Sequence, residues 1–250
     1  MLYSRKTNVI FGILQVILYL AFLILDLTET APSFSITIKY TIIIVCFCYA
    51  FFTKSAGKSI LFYSVLLHKL ALFFTVISDL FLLVLDIQLA GVLTFIPVQI
   101  FYGVRISIMK NNNLIKDITI RIISQASITL FIVFILKQIN VMINPLLVAT
   151  IFYFIYILTN TILAIITVTT STKYKQLSIR LFTIGMVLFL LCDINVGLFN
   201  LASFVTMPEN IYVVLYSLSS ILMWTFYAPS QVLLAYSSQA TAKEHINETV

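Results

Sequence analysis

Two carboxylic acids stand where a carboxylic acid is expensive to keep. Asp79 lies in HKLALFFTVISDLFLLVLD, residues 68–86, and Asp193 in LFTIGMVLFLLCDINVGLFN, residues 181–200. On insertion scales a charged side chain in the middle of a hydrocarbon span costs about 2.5–3.5 kcal/mol, so such residues are rare and mark sites. Both acids fall about seven residues from the same end of their apolar runs. Two carboxyls at one depth can divide general acid and general base work between them. The alternative is structural, an acid held by a cation or capped by hydroxyls.

Other polar residues recur at helical spacing around them. His68, Leu72, Thr75, Asp79 and Asp86 fall on one face of a helix, the periodicity of side chains three and four apart. That face should meet a protein interior or a wet cavity rather than lipid. Tyr216, Ser220, Trp224, Tyr227 and Gln231 form a second stripe, and Tyr153, Tyr156 and Asn160 a third. Gln99 and Tyr102 share a face near Pro97, a position for a kink, and Asn200 follows Asp193 on its own face. Such stripes line one amphipathic cavity, or else they are packing and interface belts. Lys39, in SITIKYTIII, enters its run from the same side as the two acids. It either pairs with one of them or snorkels to the interface. His68, near the other end of its run, reads as a structural or interface residue.

The elements that must position these residues are membrane spans. The 250 residues are 61% hydrophobic and 10% charged, with a mean hydropathy of +1.10, which no soluble domain of this size approaches. The fold expected is an all-α polytopic bundle of about eight transmembrane helices in a single domain, the lipid bilayer being its first partner. The spans read as roughly 8–26, 35–53, 60–86, 88–109, 118–139, 145–170, 178–200 and 210–236. A seven-span reading stays open if the fifth is re-entrant. The polar last dozen residues are expected to fray. Of the 15 Lys and Arg residues, all but Lys39 and Lys137 lie at or near one side, which predicts a multi-pass protein of the cell membrane with both termini cytoplasmic. The net charge of +6 belongs to this pattern and not to nucleic-acid binding. Asp79 with Gln99, and Asp193 with Gln231, suggest a 4+4 internal repeat.

Several chemistries find no residues to carry them. There are 2 histidines and 3 cysteines, Cys46, Cys48 and Cys192, all in apolar runs. Cys46 and Cys48 point to different sides of a helix. No HExxH, no G-x-S-x-G and no Gly-rich phosphate loop occurs. The residues call for no metal and no cofactor.

Taken in order, Lys39-Tyr40-Thr41, Ser78-Asp79, Gly91, Phe95, Gln99 and Tyr102, then Arg180, Gly185, Phe189 and Asp193, and finally Tyr227 with Gln231 resemble the YhhN-like, or lysoplasmalogenase, family of multi-pass membrane proteins. The resemblance runs from the second span to the eighth. Where members often have His, Gly, Ser and Pro, this chain has Gln99, Ser78, Cys192 and Tyr40. The resemblance implies hydrolysis of the vinyl ether bond of a lysophospholipid substrate, releasing a fatty aldehyde and a glycerophospho-head group. Asp79 and Asp193 would be its acid and base. Lys39 would hold one Asp ionised or contact the phosphate. Gln99, Tyr102, Tyr153, Tyr156, Asn160, Tyr227 and Gln231 would line the substrate site. The same pair of acids also suits a proton-coupled carrier, and a lipid-binding or structural membrane protein needs no turnover at all.

Overall fold

The computed structural model describes residues 5–53, 60–109, 114–170, 177–203 and 207–249. They fold into eight long helices, α1 (Arg5–Leu27), α2 (Pro32–Phe51), α3 (Ile60–Asp79), α4 (Gln88–Met109), α5 (Leu114–Gln138), α6 (Pro145–Thr170), α7 (Leu177–Phe199) and α8 (Glu209–Thr249). A π-helical turn, Leu80–Val84, continues α3, and a 3-10 turn, Leu201–Ser203, comes after α7. Each of the eight contains a stretch long and apolar enough to cross a membrane, and the architecture is an all-α polytopic bundle. The fifth is one unbroken helix of 25 residues, which removes the re-entrant reading. α8 does not fray where the polar tail begins but runs on to Thr249. Of the cations that set the expected orientation, Lys54, Lys58, Lys110, Lys173 and Lys175 lie outside the described residues, as do the side chains of Arg5 and Lys243.

The connections have local causes. Pro32 opens α2 and Pro145 opens α6, where a missing N–H costs nothing and the fixed φ suits the first turn. Asn144 caps α6 by accepting the Leu147 N–H at 2.7 Å. Asn140, with φ 58°, turns the chain between α5 and α6 in the left-handed region that Asn tolerates. Eight antiparallel helices give the bundle two ends. The terminal end carries the start of α1 and the end of α8, and the far end carries the ends of α1, α3, α5 and α7.

The third span is not the single helix expected over 60–86. Regular α-structure stops at Asp79, and the Leu85 N–H reaches back five residues to the Leu80 carbonyl at 3.0 Å. A π-turn inserts one residue into a helix and rotates the chain beyond it, and such turns recur at functional sites. Here the turn presses Leu82 onto α4 at Gly91. A Cβ on Gly91 would lie 2.4 Å from the Leu82 side chain, which would have to move to admit it. Asp86, with φ 52°, falls in the turn beyond and is exposed, so it leaves the stripe of His68, Leu72, Thr75 and Asp79.

α7 packs along α8, α3 along α4, and α4 along α6, with α2 and α3 closing on α8. α1 and α5 are peripheral, and their outer faces are apolar, with Ile10, Val16, Ile123, Leu130 and Phe131 all exposed. The interior combines an apolar core with buried polar residues, among them His68, Asp79, Gln99, Arg105, Asn160 and Gln231. Apolar outer faces with polar side chains kept inside are what a bilayer solvent demands.

Candidate functional site

Asp79 closes the α-helical part of α3 and is only 3% exposed. Its Oδ2 accepts the Tyr227 hydroxyl of α8 at 2.6 Å. Asp193, six residues before the end of α7, is partly buried, and its Oδ2 accepts the Tyr153 hydroxyl of α6 at 2.7 Å. Among the described residues neither carboxyl meets a lysine, arginine or histidine. The two are neighbours in one layer at the far end. The ring of Phe189 lies 5.5 Å from that of Tyr227, and Phe95 joins Phe189 to Tyr153 at 5.9 and 5.7 Å between centroids. Asp193 is close enough for its charge to act on Asp79. A carboxyl bonded to one phenol is anchored yet able to exchange a proton. A carboxylate locked in a guanidinium fork is not so placed.

Lys39 pairs with neither. Its Nζ is 2.6 Å from Asp26 at the end of α1, with the two side chains 12% and 20% exposed. Asp26 also accepts the Ser35 hydroxyl at 2.5 Å. The expected link from Lys39 to a catalytic carboxylate is therefore corrected. An acid on the adjacent helix is nearer, because α1 and α2 meet through a short turn. The ammonium also stands over the rings of Trp224 and Phe22, at 5.2 and 5.7 Å. Trp224 packs edge-on to Tyr227 at 5.2 Å, so this pair borders the carboxyl layer through one aromatic residue.

The remaining polar residues sort by depth. Asn160 donates to the backbone carbonyl of Gln99 at 2.7 Å and to its Oε1 at 3.2 Å, which fixes that amide beside Tyr153. The other side of Asn160 accepts from Arg121, itself 3.0 Å from Asp117, and Asp117 also accepts a short bond from Ser107. Tyr156 faces this α4–α5–α6 cluster and not the carboxyls, lying near Gly103 and Arg121. Tyr102, one turn below Gln99, packs its ring on His68 and Phe182, at 5.4 and 5.5 Å. Tyr156 and Tyr102 thus stand apart from the layer that holds the acids. Gln231 lies one turn below Tyr227 on α8, fully buried. Tyr216, at the outer end of its stripe, is exposed and stacks on Phe199 at 4.4 Å, and Asn200 bonds its own helix at Val196. Neither joins the site.

A second buried cluster lay unread in the sequence. Arg105, 1% exposed, donates to Ser237 and Thr241 at 3.1 Å each, meets His68 Nδ1 at 2.7 Å, and lays its guanidinium on the Phe182 ring at 4.4 Å. His68 is therefore interior, which excludes the interface half of its expected role. The signal was available. Four more residues of its span, Ile106–Met109, come after Arg105, which so sits inside the helix and not in the loop. Asp26 carried a weaker one, an acid in the last turn of an otherwise apolar helix. Cys46 is buried and Cys48 exposed, on different sides of α2. Among the described residues no three His, Cys, Asp or Glu side chains come together as a metal site would need. The carboxyl held by α3 takes its phenol from α8, and the one held by α7 takes its phenol from α6. Comparison with family models, with curated proteins and with solved structures returns no match.

Proposed function

We propose that this protein is a membrane-embedded hydrolase that cleaves the vinyl ether bond of lysoplasmalogen-type lysophospholipids. The observation that carries this reading is the pair Asp79 and Asp193, two intramembrane acids in one layer, each bonded to a single phenol and neither met by a cation among the described residues. The ordered residues that resemble the lysoplasmalogenase family supply the substrate class.

Vinyl ethers open by protonation at carbon. One carboxyl gives its proton to the β-carbon, the carbon–carbon π pair forms the new C–H bond, and an oxocarbenium ion remains at the carbon attached to oxygen. The other carboxylate faces that cation and takes a proton from the water that adds to it. The hemiacetal hydroxyl then returns a proton to the first carboxylate as the bond to the glycerol oxygen breaks, that oxygen takes the proton held by the second carboxyl, and the aldehyde leaves. Water is consumed and the two acids end as they began. Tyr227 and Tyr153 hold one oxygen of each carboxyl still. Lys39, at the edge of the layer, takes the phosphate, while Gln99 and Asn160 support Tyr153 from below.

Mass spectrometry of lysophospholipid extracts incubated with the purified protein tests the reading, the expected product being free aldehyde. Absence of product together with proton-dependent flux in liposomes would make it a carrier, and absence of both would make it a binding or structural protein. We also place both termini on the cytoplasmic side of the cell membrane, on the strength of the cation bias. Cysteines introduced at Lys54, Lys116 and Lys173 should all label from that one side.

A further inference from the structure

Below the carboxyl layer the interior carries polar atoms with no protein partner among the described residues. Among them are both amide atoms of Gln231 and the hydroxyl of Tyr102, and the Nε2 of Gln99 has no partner but Tyr153. All three side chains are fully buried. A buried donor or acceptor left unmet costs about 1–3 kcal/mol, and native proteins meet such groups with ordered water.

Their positions form a sequence down the bundle. Gln231 is four residues beyond Tyr227, which is one turn of α8 nearer the terminal end. Gln99 touches Tyr153 above, and Tyr102 comes one turn below on α4. Tyr102 in turn packs on His68, which meets Arg105, and Arg105 bonds Ser237 and Thr241 near the end of α8. On α3 the same levels are marked by Asp79, Thr75 and His68, all buried. Every level from the carboxyls to Arg105 thus offers at least one buried polar group.

We propose that a file of bound water molecules occupies the interior between Gln231, Gln99 and Tyr102 and connects the carboxyl layer to the His68–Arg105 cluster at the terminal end. Water is the ligand class these atoms fit. The amides of Gln231 and Gln99 and the phenol of Tyr102 offer donors and acceptors in turn, and no apolar molecule could satisfy them. The file supplies water and exchanges protons at the acids from the end opposite the far-end turns, leaving the far end to the lipid. It rests on the acids being the reacting site only for its purpose, not for its existence.

Radiolytic footprinting in heavy-oxygen water, read by mass spectrometry on the purified full chain, tests it without reference to turnover. Tyr102 and Tyr227 are buried, yet both should take up heavy oxygen, because hydroxyl radical forms where water is bound. Gln231→Met keeps the length and flexibility of the side chain and removes its hydrogen bonds. It should abolish the label at both tyrosines while the exposed Tyr212 labels as before, and Gln231→Glu should keep it. Lack of label at Tyr102 and Tyr227 in the unaltered protein would overturn the inference, as would equal labelling in Gln231→Met. If Gln231→Met does not fold, the unaltered protein alone decides. A labelled file in a protein that releases no aldehyde would sustain this inference and remove the hydrolase reading, and a dry interior with aldehyde release would do the reverse.

Discussion

The two buried polar layers of this bundle are built on opposite principles. At the far end, Asp79 and Asp193 each rely on one tyrosine hydroxyl, and the surroundings are the rings of Phe95 and Phe189. Toward the terminal end, Arg105 is held by two hydroxyls, a histidine and an aromatic face at once, and Arg121 by a carboxylate and an amide. Asp79 and Asp193 are thinly held and Arg105 is thickly held, and among the described residues no cation is paired with either of these two acids. Had stability been the only demand, an interior arginine beside an interior aspartate would neutralise both. Keeping them a few turns apart leaves the carboxyls available and makes the cations a scaffold. The two layers should therefore respond differently to the same kind of substitution.

The largest effect is expected at the thin layer, and on rate. Asp79→Asn and Asp193→Asn preserve shape but cannot give a carboxyl proton or hold the charge. Removing a general acid or base typically costs ~10²–10⁴ in rate, so each variant should nearly stop aldehyde release. Thermal stability should hold or rise, because a neutral amide is cheaper to bury than a charge. The double variant should be little slower than either single one, as for groups that act as one unit. Near-normal turnover in both single variants would erase the contrast between the layers and with it the enzyme reading.

The thick layer should break the other way. Arg105→Met leaves the Ser237 and Thr241 hydroxyls and the His68 ring without their donor. The two hydroxyls keep their bonds to backbone carbonyls, but a buried group that loses its hydrogen-bond partner costs about 1–3 kcal/mol. Unfolding in mixed micelles should report that loss, while the fraction that remains folded turns over substrate at the usual rate per molecule. A stable Arg105→Met protein with lost activity would move the reacting site to the terminal end.

How much of this was legible depends on the distance over which each feature is encoded. The eight spans were readable because hydropathy is a local sum, and the fourth and sixth coincide with the observed helices at both ends. The inward faces of α3 and of the inner half of α8 were readable because helical period fixes which residues share a side. What the sequence did not disclose depends on contacts between helices. Nothing near Lys39 says that Asp26 will be closer than Asp79. Nothing near Tyr153 says that its hydroxyl will find Asp193, 40 residues away. The π-turn after Asp79 is set by how Leu82 meets Gly91, a fit between two helices that periodicity cannot express. Arg105 is legible in principle, since four residues of its span follow it, but in the sequence it counts only as one of the cations that lie nearer one side.

A finer division within the thin layer comes from its two phenols. Tyr227→Phe and Tyr153→Phe each remove one hydrogen bond to a carboxyl and leave the ring in place. A bond to a charged group is worth about 1.5–3 kcal/mol, and a factor of ten in rate corresponds to about 1.4 kcal/mol. Each variant should slow turnover by roughly tenfold to a hundredfold, well short of the Asp→Asn effect. A loss as deep as that of the Asp→Asn variants would promote that tyrosine from a positioning residue to a proton carrier.

The smallest effect should come from Lys39, and its sign separates a lipid contact from a clamp. The Lys39–Asp26 pair is partly open to solvent, so it contributes only about 0.2–1 kcal/mol to stability, as exposed ion pairs do. If the ammonium also meets the phosphate of the substrate, Lys39→Met should raise KM and leave kcat unchanged, the mark of an interaction made equally in the ground and transition states. Asp26→Asn removes the competing carboxylate and should lower KM, since the lysine is then free to turn toward the lipid. If the pair only clamps α1 to α2, the two variants should instead cost the same small stability and leave KM where it was. Opposite movements of KM in Lys39→Met and Asp26→Asn would tie the far-end rim to substrate recognition. Identical behaviour of the two would confine recognition to the carboxyl layer itself.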